Sequence, residues 1–140
     1  MEKEQTLAII KPDGMEHAEE IIDILYEKGL MTVEYKLTIL EEEIVKEHYA
    51  HLVDKPFFPE IVEYMTSAPV LLMILEGENA VSTLRKVMGP TDSTQAAPDT
   101  IRGKFGTDKS TNAIHGSDSV ENAQIEIKRF FGGRERKRNN

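Results

Sequence analysis

The apolar positions change period several times along the chain, and each change marks an element. Thr6 to Ile10 reads as a strand, and it ends in Lys11-Pro12-Asp13-Gly14, which is turn chemistry. Ala18, Ile21, Ile22 and Leu25 then share one helical face, with Gly29 placed to stop the helix. From Met31 to Ile39 the period drops to two. Met31, Val33, Tyr35, Leu37 and Ile39 alternate with Thr32, Glu34, Lys36 and Thr38, the pattern of a strand with one wet face. Helical spacing returns at Ile44, Val45, His48, Tyr49 and Leu52. Pro56-Phe57-Phe58-Pro59 breaks it, and Ile61, Val62 and Met65 begin a second short helix, so the two form a helical hairpin.

Val70 to Leu75 is apolar throughout and predicts a central strand. Val81, Leu84 and Val87 or Met88 mark a further helix, closed by Gly89-Pro90. A loop rich in Pro, Asp, Ser and Thr runs from there to Thr100. A short strand includes Ala113 and Ile114, and Ser119 is placed to cap a last helix carrying Val120, Ala123, Ile127 and Phe130. This order predicts an α+β, ferredoxin-like sandwich: a four-stranded antiparallel sheet with helices packed mainly on one face. One domain over residues 1–131 accounts for these elements, leaving 132–140 as a basic tail. Such an architecture hosts many activities, so function must come from particular residues.

Composition narrows the field. Among 140 residues, 39% are apolar and 30% charged, a soluble globular mixture. There is no cysteine, which excludes disulfides, thiolate metal sites and cysteine nucleophiles. The start, Met1-Glu2-Lys3-Glu4-Gln5, is too polar for a signal peptide, and Val70–Leu75 is far short of a membrane span, so a cytoplasmic protein is expected. The formal charge of -8 argues against a general nucleic-acid binder. A polyphosphate ligand would have to be drawn in by local cations against that field. The basic tail is either a solvated, frayed terminus or a partner- or phosphate-attracting segment.

The most informative stretch is Asn112-Ala113-Ile114-His115-Gly116-Ser117-Asp118-Ser119. A histidine at a strand end keeps a usable lone pair near neutral pH, and Gly116 leaves room for a phosphate beside it. Glu126 lies about two helical turns beyond Ser119 and reaches back only if that helix packs under the strand. Taken alone, such a histidine reads first as a hydrogen-bonded structural residue. Lys11, Arg85, Thr91 and Arg102 stand at chain punctuation points; arginine suits phosphate oxygens bidentately and lysine serves as a point charge. Only convergence on His115 would make them a site. The aromatic pair between prolines offers either a stacking platform for a base or core filling, with one ring expected out and one in.

Together these segments resemble the nucleoside diphosphate kinase family. The resemblance is carried by Ile10-Lys11-Pro12-Asp13-Gly14, His48-Tyr49, Pro56-Phe57-Phe58, Tyr64-Met65, Pro69-Val70, Leu75-Glu76-Gly77, Thr100-Ile101-Arg102-Gly103 and the histidine segment, from about residue 5 to Phe131. It implies a ping-pong kinase in which the terminal phosphoryl of a nucleoside triphosphate such as ATP passes to His115 and then to a nucleoside diphosphate. It assigns Arg85, Thr91 and Arg102 to phosphates, and Lys11 and Asn112 to the region of the sugar and the reacting phosphate. Tyr49 is a further nucleotide contact, Phe57 is the base-stacking ring, and Ser117 with Glu126 organises the histidine. It also implies Mg2+ held chiefly through the nucleotide's own phosphates, and a homo-oligomer, hexamer favoured over tetramer or dimer. The chain departs from the family pattern in a run between Gly14 and Glu20 about two residues shorter, in Asp92-Ser93 where Asn-Pro is usual, and at Lys104, Lys109 and Thr111. None of these is a position assigned to the chemistry.

Overall fold

Two strands that are apolar at consecutive positions set the centre of the fold. The computed structural model describes residues 3–108 and 111–132; Lys109 and the basic run after Gly132 lie outside them. Strand β1 (Glu4–Ile10) pairs antiparallel with β3 (Val70–Gly77) on one side and with β4 (Ile114–Gly116) on the other, while β2 (Met31–Thr38) pairs with β3. The order across the sheet is β2-β3-β1-β4, the four-stranded antiparallel α+β sheet expected from the sequence. The helices are α1 (Ala18–Glu27), α2 (Glu42–His48), α3 (Phe58–Met65), α4 (Ala80–Met88), α5 (Ile101–Phe105) and α6 (Val120–Phe131).

The helices divide over both faces rather than mainly one. Successive residues of a strand point to opposite faces, so Leu7-Ala8-Ile9-Ile10 and Val70–Leu75 present apolar side chains both ways and need cover on each. Ala8, Ile10, Leu71, Met73 and Leu75 pack with Ile21 and Leu25 of α1, Leu84 and Met88 of α4 and Ile101 of α5. Leu7, Ile9, Val70, Leu72 and Ile74 pack with Val45 of α2, Val62 and Met65 of α3 and Phe130 and Phe131 of α6.

Strand β2 corrects a second expectation. Its alternation is present, but as an edge strand it leaves the apolar row outside: Tyr35 is 71% exposed and Leu37 62%, with Met31, Val33 and Ile39 also exposed. A register shift between Thr32 and Glu34 accompanies this. A period of two shows that the strand has two unlike faces and cannot say which of them is covered.

Local chemistry explains the boundaries. Gly29 takes φ 89 just past α1, a conformation that costs other residues a Cβ clash. The Ser119 hydroxyl accepts from Asn122 N at the start of α6, as expected of an N-cap. Helix α5 falls between the expected loop, which ends at Thr100, and the expected strand; the Thr100 hydroxyl, accepting from Gly103 N, caps its five residues. Among the described residues no helix is long and apolar enough to cross a membrane.

Ile9, fully buried between the sheet and the face covered by α6, is expected to lose about 2–5 kcal/mol of stability on truncation to Ala. Urea titration of Ile9→Ala checks this. A loss under about 1 kcal/mol would mean that α6 is not anchored by that layer.

Candidate active site

The register of β4 decides where its histidine points. His115 lies opposite Ile9, so it shares the face covered by α2, α3 and α6. There its Nε2 is 2.9 Å from Glu126 Oε1, and the Ser117 hydroxyl donates to the same oxygen at 2.7 Å. A carboxylate only accepts, so the Nε2 of His115 carries the proton and Nδ1 keeps the lone pair. Burial alone would raise the Glu126 carboxyl, but the hydrogen bond and charge of His115 and the Ser117 hydroxyl outweigh it and hold it below the ordinary value.

The approach to β4 is strained and braced. Ala113 sits at φ 74, unusual for a residue with a Cβ. Its carbonyl accepts from Lys11 N at 2.9 Å and its N–H donates to Asp13 Oδ2 at 3.0 Å. The other Asp13 oxygen accepts from the Tyr64 hydroxyl. A Cβ on Gly14 would stand 2.5 Å from the Ala113 carbonyl oxygen, so the turn closes this tightly only with glycine. In the sequence Asp13 is a turn former and Tyr64 part of a family segment. Their bracing role joins residues 51 and 100 apart, which no local pattern reveals.

The cations converge. Lys11, Tyr49, Phe57, Arg85, Thr91, Arg102, Asn112, His115 and Glu126 line one cleft of about 1650 Å3, with Ser117 fully buried behind Glu126. Lys11 Nζ donates to Asn112 Oδ1 at 2.8 Å, and Asn112 Nδ2 to the Thr91 carbonyl at 2.9 Å. Burial first, and then the nearby Arg102 charge, push Lys11 down to about 8. Arg102 is itself pushed down to about 10 by burial and by Arg85. Its Nη1 donates to the Gly89 carbonyl at 3.0 Å and its Nη2 to Ile114 at 2.7 Å, pinning the end of α4 to β4. Each of those nitrogens has a second N–H. Arg85 is exposed on α4 and reaches the Asp118 carbonyl at 3.1 Å. Phe57 is 43% exposed while Phe58 packs against the core, so the two rings divide as expected. The Asp92-Ser93 departure leaves an ordered turn: Asp92 Oδ1 accepts from Thr94 N at 3.0 Å and Thr94 Oγ1 at 2.7 Å.

His48 completes the floor of the cleft. In the sequence it belongs to a helical face and a family segment, yet its buried ring meets that of His115 edge-on at 4.6 Å. Donor atoms of His48, His115 and Glu126 lie within 4.8 Å of one another, a possible metal grouping. Its nitrogens suit transition metals better than Mg2+, and its groups are already bonded, His115 to Glu126 and His48 to Arg129.

Comparison with known proteins finds one family. The nucleoside diphosphate kinase family model matches residues 4–136. Nucleoside diphosphate kinases from Anaeromyxobacter dehalogenans and Symbiobacterium thermophilum are 51% and 46% identical, over 91% and 92% of this chain and 88% and 87% of theirs. The solved structure of the Aquifex aeolicus nucleoside diphosphate kinase superposes with a TM-score of 0.88 at 44% identity, covering 94% of this chain and 97% of that one. A halophilic nucleoside diphosphate kinase from Halobacterium salinarum, solved in complex with CDP, gives a TM-score of 0.88 at 42% identity, covering 93% and 88%.

Because Lys11 loses its proton near pH 8, its help to a polyanion is full below that pH and fades above it. The affinity ratio of the parent to Lys11→Met for inorganic pyrophosphate, measured by calorimetry, should be constant below pH 8 and fall toward one above it. A ratio of one at every pH would remove Lys11 from the anion site, and a ratio above one that stays constant through pH 10 would contradict the lowering of Lys11 by burial.

Proposed function

The chain belongs to the nucleoside diphosphate kinase family and transfers phosphoryl groups between nucleotides, and we propose that it does so through a phosphohistidine at His115. The observation that carries this reading is the Glu126–His115 hydrogen bond at the floor of a cation-lined cleft. With Nε2 bonded to the carboxylate, Nδ1 is the nucleophile. Its lone pair attacks the terminal phosphorus of a nucleoside triphosphate, the bond to the bridging oxygen breaks, and the diphosphate leaves. The ring becomes an N-substituted imidazolium whose charge Glu126 stabilises. A phosphate oxygen of a second nucleoside diphosphate then attacks the phosphorus, and the P–N bond breaks. Two half-reactions at one site make the mechanism ping-pong.

Positioning does most of the rest. Arg85, Thr91 and Arg102 hold phosphate oxygens, while Lys11 and Asn112 serve the sugar and the transferred group. Tyr49 borders the nucleotide, and Phe57 stacks on the base, a contact that tolerates any base. Ser117 supports Glu126. Of the cleft's carboxylates, Glu126 is engaged by His115 and Ser117, Asp118 by Asn122 and Glu47 by Arg129, which fits Mg2+ carried in on the nucleotide's phosphates rather than on side chains. When bound, Mg2+ neutralises phosphate charge. ATP is the expected donor, and a cytoplasmic enzyme accords with nucleotide substrates and a cysteine-free chain.

A homo-oligomer is supported by the edge strand β2. An edge strand with exposed Met31, Val33, Tyr35, Leu37 and Ile39 is an apolar surface that single chains avoid. A hexamer remains the expected assembly.

His115→Ala should keep the far-ultraviolet circular dichroism of the parent and lose phosphoryl transfer from ATP to GDP below detection; measurable transfer by a folded variant would refute the mechanism. Leu37→Asp should lower the oligomer mass found by light scattering. An unchanged mass would move the interface away from β2, and a monomeric parent would refute the assembly.

A further inference from the structure

The floor of the cleft holds an imidazole that the proposed transfer does not use. His48, at the end of α2, is buried, with ring centroids 4.6 Å from His115, 4.8 Å from Tyr49 and 5.1 Å from Phe130. Its Nδ1 lies 2.9 Å from Arg129 Nη1, and Arg129 Nε pairs with Glu47 Oε2 at 3.3 Å. A guanidinium only donates, so His48 Nδ1 is the lone pair and the proton of the neutral ring sits on Nε2. Arg129 stands one turn after Glu126 on α6. One face of one helix therefore holds two imidazoles in opposite senses. Glu126 accepts from His115, Arg129 donates to His48, and the rings meet at 85°.

We propose that Arg129 is a positioning residue for phosphoryl transfer: by donating to Nδ1 it holds the His48 ring in the Nε2–H form and in the orientation that meets His115 edge-on. This rests on the reading of His115 as the nucleophile.

The groups facing His48 show why such a device matters. They are His115 from β4, Glu126 and Arg129 from α6, Lys11 at the end of β1, and Tyr49 beside it in the chain. Burial, and then the proximity of His115, drive the His48 ring down to about 3; Glu126 opposes them, and Arg129 and Lys11 add to the depression. Without Arg129 the lone pair on Nδ1 loses its donor and the ring loses a neighbouring cation. Burial and His115 still keep the ring neutral near pH 7, but it is free to turn and to exchange tautomers. A turned His48 no longer backs the His115 ring edge-on, and the aim of the His115 lone pair is lost. Arg129 itself reaches no reacting atom in this account.

The test uses the full chain with Arg129→Met, which keeps bulk but not the donor, and Arg129→Lys, which keeps donor and charge. Nitrogen-15 NMR reads the tautomer and titration of His48 without any catalysis. Single-turnover phosphorylation by Mg·ATP reads His115. The parent should show the Nε2–H form with no titration down to pH 5. Arg129→Met should mix tautomers, leave the ring neutral above pH 5, and slow phosphorylation several-fold from pH 6 to pH 8 with an unchanged KM for ATP. Arg129→Lys should restore most of both. An unchanged tautomer in Arg129→Met, or an unchanged rate of phosphorylation, would reduce Arg129 to a tie between α2 and α6 and overturn the proposal. A parent that takes no phosphoryl would overturn the nucleophile reading as well, and the NMR result keeps the two failures apart.

Discussion

The 2.9 Å contact between Glu126 and His115 is the interaction on which the rest of the site depends. An imidazole has two nitrogens of similar basicity, and a nucleophile needs one of them free and aimed. A carboxylate sunk beside Nε2 does both tasks, because it accepts the proton there and fixes the ring plane. The Ser117 hydroxyl, on the same oxygen, limits how far the carboxylate can turn. A carboxylate in a half-buried place is costly to ionise, yet its partners hold it charged, so the negative charge is in position before the ring becomes positive.

That contact exists only because the sheet puts a short strand and a long helix in register. β4 pairs with β1 over three residues, His115 falls opposite Ile9, and α6 lies on the same face with Phe130 and Phe131 buried against it. The histidine is presented at the end of a segment whose entry, Ala113 at φ 74, is held by Lys11 N and Asp13. Strain next to a reacting group persists where the surroundings over-determine it, and here the backbone, a carboxylate and a glycine without a Cβ all constrain the same residue. Arg102 adds a further tie by donating to both Gly89 and Ile114, so the cation and the strand it serves are fixed together.

Much of this was legible in the sequence, for identifiable reasons. The apolar runs Thr6–Ile10 and Val70–Leu75 mark central strands whichever fold contains them, and Ser119 and Gly29 carry local chemistry that does not depend on tertiary context. The candidate residues were recognisable as types, and resemblance supplied their grouping. Faces and distances were less legible. The apolar row of β2 lies outside because β2 is an edge strand, a fact of topology. Helices cover both faces because the central strands are apolar on both, which the wet row of β2 concealed. Helix α5 is five residues among turn formers, too short for a period. The link from Arg129 to His48 spans 81 residues and depends on how α2 and α6 pack.

The central claim is that His115 carries the phosphoryl group on Nδ1. Intact-mass analysis after brief exposure to Mg·ATP, with phosphorus and nitrogen NMR of the same sample, tests it most directly. The account predicts one added phosphoryl, labile to acid, bonded to Nδ1 of His115 and discharged by GDP as GTP. A folded protein that gains no mass, or one that carries the phosphoryl on Nε2 or on another residue, would contradict it.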